Sequence, residues 1–200
     1  MQNKEKNKKI LSEKFSKNTI IFNDHYDEIN IKKDNIIETV QLLKEDKNLR
    51  YDQLIDLTAI DYPSREKRFD IVYIFLSMVY NKRILVKSTL LENEKIESIT
   101  SIHKSADWYE RECYDLFGIK FLNHPDLRRI MTDYNFEGYP LRKDFPLTGH
   151  TEVRYDDLEK KVIYEPVKLT QEYRNFDYMS PWEGLENNLI GDDKFEEEEK

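Results

Sequence analysis

Three acidic side chains stand close together near the middle of the chain: Glu110, Glu112 and Asp115. Paired carboxyls of this kind carry glycoside hydrolysis when they face each other across a substrate. Here Arg111 separates the two glutamates, and Arg128, Arg129, Arg142 and Lys143 follow within the next turns of chain. No cleft signature surrounds them. Charge clusters of this type are more often structural ion-pair networks than acid–base machinery. The preferred reading is therefore ion pairing that locks a helix to a following arm.

The other reactive types are weighed in the same way. His124-Pro125-Asp126 has the look of a metal half-site, but a metal needs three or four ligands. His103 and His150 are distant in sequence, and His25 has no matching context. A histidine bonding the backbone of its own turn is the simpler expectation. Cys113 falls on the apolar side of a predicted helix with Tyr109 and Phe117, which favours a packed thiol over a nucleophile. As the one cysteine in the chain it also excludes an internal disulfide, or a cysteine-built zinc or iron–sulfur site made by this chain alone. A reducing compartment fits. Arg128, Arg129, Arg142 and Lys143 resemble phosphate ligands, yet Gly138 and Gly149 are too isolated to form a phosphate loop. Mixed with Tyr134, Phe136, Tyr139, Phe145 and Tyr155, these cations instead match protein-interface composition, with carboxylates on a partner as the expected counter-charges.

These residues lie in a stretch, Trp108 to Tyr155, that holds three of the chain's five glycines and three of its six prolines. Gly118, Gly138 and Gly149 permit unusual torsions there, and Pro125, Pro140 and Pro146 restrict them. With aromatics and ion-pair partners interleaved, the segment reads as an ordered, irregular arm lying on another surface.

Upstream, Ile10, Leu11 and Phe15 allow a short helix. Thr19–Phe22 and Glu28–Ile31 read as short strands. Asp34 is an expected helix N-cap, and Ile36, Val40 and Leu43 carry a helix to about Lys44. Gln53–Asp61 and Phe69–Val79 are strands; the second is apolar on both alternations, which predicts a central strand covered on both sides. The Ser64–Arg68 and Tyr80–Lys82 links suit antiparallel hairpins, the second leading into a strand over Arg83–Leu90. Ile96, Ile99 and Ile102 predict a further helix. The next helix begins with Asp107 and Glu110 spaced like a capping box, runs to about Phe117, and ends at Gly118; Arg111 and Asp115, four apart, are expected to pair on it.

The fold class is therefore α+β: a mostly antiparallel sheet packed with helices, followed by a long irregular C-terminal arm. The division expected is a polar extension over 1–18, an α+β domain over 19–118, a partner-binding arm over 119–182 and an acidic, disordered tail over 183–200. That tail holds eight acids and two lysines, so most of the net charge of −8 resides there. A chain with this sign of charge is not expected to bind nucleic acid. No apolar run approaches the ~20 residues that span a bilayer. The first 25 residues lack arginine and an apolar core, so no targeting peptide is expected, which points to a bacterial or organelle-encoded protein.

The string ERECYDLFGIKFLNHPDLRRIM, followed by GYPLRKDFPLTG, resembles the signature of the thirty-kilodalton peripheral-arm subunit of respiratory complex I, the proton-pumping NADH:quinone oxidoreductase. The matching positions are Glu110, Arg111, Glu112, Asp115, Gly118, His124, Pro125, Leu127, Arg128, Arg129, Gly138, Pro140, Arg142, Lys143, Asp144, Pro146 and Gly149. The likeness extends more weakly over most of residues 20–182. It implies a non-catalytic, structural subunit that binds no cofactor; NADH, FMN, iron–sulfur clusters and quinone belong to other members of the complex. The partners it implies are subunits B, D and I, with the arm extending chiefly across D, the quinone-reducing one. It further implies a place peripheral to the inner membrane on its cytoplasmic side, or on the matrix side if organelle-encoded. Two other readings are kept: the homologous component of a membrane-bound energy-converting hydrogenase or related dehydrogenase, and a stand-alone carboxylate hydrolase.

Overall fold

Alternating apolar residues between positions 53 and 90 form three long strands, and the first part of the chain assembles on them. In a computed structural model, residues 9–15, 18–22 and 26–169 are described. The chain divides into two compact units, Met1–Gly149 and His150–Lys200. In the first unit a short helix α1 (residues 9–14) precedes β1 (Thr19–Phe22) and β2 (Asp27–Ile31). A 3-10 turn over Lys33–Asn35 leads into α2 (Ile36–Glu45). Then come β3 (Gln53–Asp61), β4 (Phe69–Ser77), β5 (Lys82–Leu90), β6 (Lys95–Glu97), α3 (Ala106–Phe117) and β7 (Lys120–Leu122). The second unit contains β8 (Thr151–Asp156) and β9 (Lys161–Pro166).

The main sheet has the order β1-β2-β5-β4-β3. β4 runs antiparallel to both neighbours, β1 runs antiparallel to β2, and β2 joins β5 in parallel. The sheet is thus mixed, mostly antiparallel, and packed with helices, as the periodicity requires. Period-two alternation sends Ile71, Tyr73 and Phe75 of β4 and Ile84 and Val86 of β5 into one buried cluster. Ile36, Val40 and Leu43 of α2 and Ala106, Cys113 and Phe117 of α3 close it. Leu11 and Phe15, apolar positions of the N-terminal pattern, are buried in the same cluster. Two side chains fix α3 onto β3: the Tyr109 hydroxyl donates to the Ile55 carbonyl at 2.8 Å, and the Cys113 thiol to the Leu57 carbonyl at 3.6 Å.

Three local expectations are corrected. Asp34 lies inside the 3-10 turn, and Asn35 is the N-cap of α2 with no side-chain capping bond. The Ile96–His103 segment is not helical: β6 pairs in parallel with β7, and the Ser98 amide extends that ladder to the Leu122 carbonyl. Three isoleucines at helical spacing are too few to outweigh a strand partner brought in from beyond α3. Within the expected arm, residues 123–149 carry neither helix nor strand, but β7 and the β8–β9 hairpin are regular. The readings for residues 170–200 lie outside the described residues.

Phe75 is fully buried, whereas Met78, just past the end of the same strand, is exposed. Phe75→Ala is expected to lower unfolding stability by about 3–5 kcal/mol. Met78→Ala should change it by no more than about 0.5 kcal/mol. Urea unfolding of the two variants checks the pair, and equal losses would contradict this placement of the core.

Candidate functional site

The signature residues converge on the C-terminal half of α3 and the irregular segment that follows it. Asp115 is buried and acts as the collector. Its Oδ2 accepts the backbone amides of Ile130, Met131 and Thr132 at 2.9, 2.7 and 2.9 Å. Its Oδ1 accepts the Thr132 hydroxyl at 2.6 Å and Arg129 Nη1 at 2.9 Å. Burial pushes the carboxyl upward, but the hydrogen bonds from Thr132, Met131 and Ile130 outweigh it and hold its pKa at about 2. The expected Arg111–Asp115 pair does not form. Arg111 donates instead to the Arg128 carbonyl at 3.1 Å and lies 5.2 Å from the centre of the Trp108 ring. Five donors from the arm saturate a carboxylate better than one helix-surface cation does.

Arg129 carries the link onward. Its second nitrogen donates to the Gly138 carbonyl at 3.0 Å, and its guanidinium lies 5.2 Å from the Tyr139 ring. The Arg142 guanidinium is 4.5 Å from the same ring and 5.2 Å from Phe69 of β4. Arg142 also donates to the Phe117 carbonyl at 2.6 Å and to Glu92 at 2.8 Å. Gly118 makes this approach possible. It ends α3 at φ +80°, and a Cβ there would sit 2.7 Å from the Tyr139 ring and 2.8 Å from Arg142 Nη2. Gly138, at φ +99°, lies against Phe145 in the same way, with a Cβ 2.8 Å from that ring.

A second carboxylate ties the sheet to the same segment. Asp61, at the end of β3, takes a two-pronged contact from Arg68 at 2.7 and 2.9 Å, and the Lys143 amide at 2.7 Å. The Arg68 bonds hold its carboxyl below the usual range against the opposing effect of burial, helped by the Lys143 amide. Arg68 reaches on to Asp144 at 2.9 Å. Thus Arg129 and Arg142 find in this chain the carboxylates expected on a partner, and Arg128 forks onto Asp126 at 2.7 and 2.6 Å. The Lys143 side chain is exposed, as are Pro125 and Pro146; Pro140 is half-buried, and the Gly149 amide closes a turn onto the Pro146 carbonyl at 2.9 Å.

Glu110 is the unusual member. Its side chain is fully buried; Oε1 accepts the Ile99 amide at 2.8 Å, while Oε2 has no hydrogen-bond partner among the described residues. Burial, with the Asp107 charge adding to it, raises its pKa to about 7 against hydrogen bonds from Ser98 and Ile99. The capping box is absent, because Glu110 bonds the loop before the helix rather than the helix's own first turn. His124 Nδ1 accepts the Asp126 amide at 3.1 Å, as a histidine serving its own turn should. With Nδ1 accepting, Nε2 is the donor side of the ring, 3.2 Å from the Asp107 carbonyl and 3.9 Å from Glu110 Oε2. A carboxyl protonated near neutrality suits acid catalysis. Glu112, though, lies two residues along the helix and so does not face Glu110. Glu110 also has no exposure through which a substrate could reach it. Among the described residues no group of three or more His, Cys, Asp or Glu is arranged to hold a metal ion.

Sequence reasoning missed Asp61, Arg68 and Glu92 as members of this network. Asp61 read as the end of a strand and Arg68 as part of a charged link. The available signal was that a hairpin places Asp61 opposite Phe69, beside Arg68.

The folded Glu110 carboxyl keeps its proton to about pH 7, whereas the ordinary value is 4.5. Between those limits the unfolded chain binds fewer protons, so Glu110 makes stability fall as pH rises. Glu110→Gln should flatten that slope in thermal unfolding between pH 5 and pH 7; an unchanged slope would remove Glu110 as its source. Asp115 has the opposite sign: its contribution is complete above 3.8 and is lost as pH falls toward 2. Asp115→Asn leaves Arg129 without its buried counter-charge and should cost about 3–5 kcal/mol at neutral pH, measurable by urea unfolding.

The description "Respiratory-chain NADH dehydrogenase, 30 Kd subunit" is that of a family matching residues 29–151, which include every signature position. An NADH-quinone oxidoreductase subunit of Ruegeria pomeroyi is 56% identical over 168 residues, 84% of each chain. Its counterpart of the same name in Cereibacter sphaeroides is 58% identical over 159 residues, 80% of each chain. Among solved structures, a chain of the membrane-bound sulfane sulfur reductase, an archaeal respiratory membrane complex, shares the fold. Its TM-score is 0.63 at 24% identity, covering 74% of this chain and 87% of that one. With a family match over more than half its length and relatives of this identity, the chain belongs to the family of the 30 kDa subunit of respiratory-chain NADH dehydrogenase.

Proposed function

We propose that this chain is a non-catalytic scaffold in the peripheral arm of a proton-translocating NADH:quinone oxidoreductase. Its neighbours there are subunits B, D and I, and it holds D, the quinone-reducing one, in place beside the other two. NADH, FMN, iron–sulfur clusters and quinone are bound by those and other members of the complex, and the isolated chain transfers no electrons. It sits at the cytoplasmic face of the inner membrane and reaches the membrane only through the complex. No helix among the described residues is long and apolar enough to cross a membrane, which accords with peripheral attachment.

One observation carries this reading. Asp115, Arg129 and Arg142 of the signature are paired with charges and backbone groups of this chain, while large apolar side chains along the same segment face outward. Trp108 is 63%, Leu147 81% and Tyr134 99% exposed. Exposed aromatics on a rigid, internally neutralised frame supply contact area without the cost of desolvating free charge. A chain of the sulfane sulfur reductase shares the fold, but the high identities are to chains named as NADH-quinone oxidoreductase subunits, which favours this reading over the hydrogenase-type alternative.

Tagged chain pulled from its native membrane should bring the other oxidoreductase subunits with it. Arg129→Ala and Arg142→Ala should each lower the amount of assembled complex on native gels. Unchanged complex levels in both variants would sink the scaffold reading. The purified chain alone should contain no flavin or cluster by absorbance and metal analysis; a stoichiometric amount of either would overturn the cofactor assignment.

A further inference from the structure

Glu110 and His124 stand apart from the Asp115 network and face each other. Neither side chain has any exposure, and Glu110 Oε2 lies 3.9 Å from His124 Nε2, beyond a hydrogen bond. Glu110 Oε1 accepts the Ile99 amide, so a proton on the carboxyl belongs on Oε2. On the ring, Nδ1 accepts the Asp126 amide, which leaves Nε2 as the donor. Two hydrogens then point into one gap, and the pair is held apart.

Loss of the Glu110 proton reverses this. Oε2 becomes an anionic acceptor without a partner, and a buried unpaired charge is costly. The groups around it leave one free donor on the side of the turn. Asp107, on the same helix, adds negative charge; its Oδ1 is 3.2 Å from Nε2 but takes no hydrogen bond. The Ile99 amide and the Ser98 hydroxyl are already bonded to Glu110, and the Cys113 thiol is bonded to the Leu57 carbonyl. From β4 comes Tyr73, whose buried hydroxyl makes no hydrogen bond and whose proton is held more firmly by the Glu110 charge.

We propose that His124 is a proton-responsive latch: when Glu110 ionises, its Oε2 draws in the His124 Nε2–H, and the turn over residues 123–126 shifts with the ring. The ring is the part free to move. Glu110 is fixed on α3 and by the Ile99 amide. His124 follows Asn123, whose φ of +60° is a left-handed torsion that asparagine tolerates and that suits a pivot. Closing the gap to a charge-assisted bond of about 2.8 Å moves Nε2 by about 1 Å. The imidazole is rigid, so Nδ1 moves too, and its 3.1 Å bond from the Asp126 amide must readjust. The Asn123 side chain holds the near end of the turn to Glu97 of β6 at 2.8 Å, so the displacement passes forward into the segment that Asp115 gathers. That segment therefore leaves β7 in two arrangements, one for each state of a single carboxyl. This holds whether or not the scaffold reading does.

Nuclear magnetic resonance of the full-length chain, with labelled glutamate and histidine side chains, tests the latch between about pH 5 and pH 9. The His124 signals are assigned by their loss in His124→Gln. The Glu110 carboxyl should titrate above its ordinary 4.5 and no higher than about 7, because the new bond favours the ionised form. His124 Nε2 and the Asp126 amide should shift with that same midpoint, while Nδ1 stays unprotonated. Glu110→Gln should abolish both steps; the coincidence in the wild-type chain decides alone if that variant does not fold. A carboxyl already ionised at the acid end overturns the proposal. So does one that titrates while the ring and the Asp126 amide stay still, which would assign its counter-donor to Tyr73. A His124 step that persists in Glu110→Gln, or that places a proton on Nδ1, overturns it as well.

Discussion

A run of three consecutive backbone amides has no partner of its own in an irregular segment, and buried unpaired amides are costly. Residues 130–132, half-buried to exposed, present such a run, and Asp115 pairs it from outside: one buried carboxylate takes all three amides, then adds a hydroxyl and a guanidinium. The acceptor sits in the last turn of α3, whose opposite side is locked into the core by Cys113 and Phe117. The segment thereby acquires the rigidity of the helix without forming regular structure. The buried negative charge is tolerated because Arg129 and the amide dipoles surround it.

From that point the constraint propagates through stacked groups. Arg129 and Arg142 both lie against Tyr139, and Arg142 also lies against Phe69 in the core sheet. Cation–ring contacts gain strength where water is excluded, and Arg142 is mostly buried here. Gly118 is the geometric condition for the whole stack, since any side chain would displace the ring that both arginines touch. The Asp61–Arg68–Asp144 chain makes a second attachment, joined to the stack through Glu92, which pairs with both Arg68 and Arg142. Two attachments at separated points fix orientation as well as position.

Much of this was legible in the residues. Period-two alternation located β3, β4 and β5, and Gly118 announced the end of α3 through the left-handed torsion that other residues resist. Cys113 and Phe117 fell on the buried side of α3 because helical spacing demanded it. What escaped was every feature set by contact at a distance. Arg111 and Asp115 have ideal spacing for a pair, but spacing cannot reveal competing donors fifteen or more residues away. The Ile96 strand needed knowledge of β7, and Asp61 needed knowledge of Lys143. Charge composition correctly marked the seam as ion-paired, yet composition is the same whether a guanidinium meets its carboxylate inside the chain or across an interface.

That ambiguity bears on how the family signature should be understood. Its charged positions are clustered in sequence, which invites reading them as one binding face. The geometry separates them by role: Asp115, Arg129 and Arg142 build the frame, while Trp108, Tyr134, Leu147 and the Lys143 ammonium stand at its surface. A frame of paired charges resists reshaping when a partner arrives, because moving one ion breaks several bonds at once. On the scaffold reading proposed above, contact energy would come from apolar and aromatic groups already held in place, with little ordering entropy left to lose on binding. On that same reading, loss of an internal ion pair and loss of a surface ring would weaken assembly through different states: the first through the fold of the free chain, the second through the interface alone.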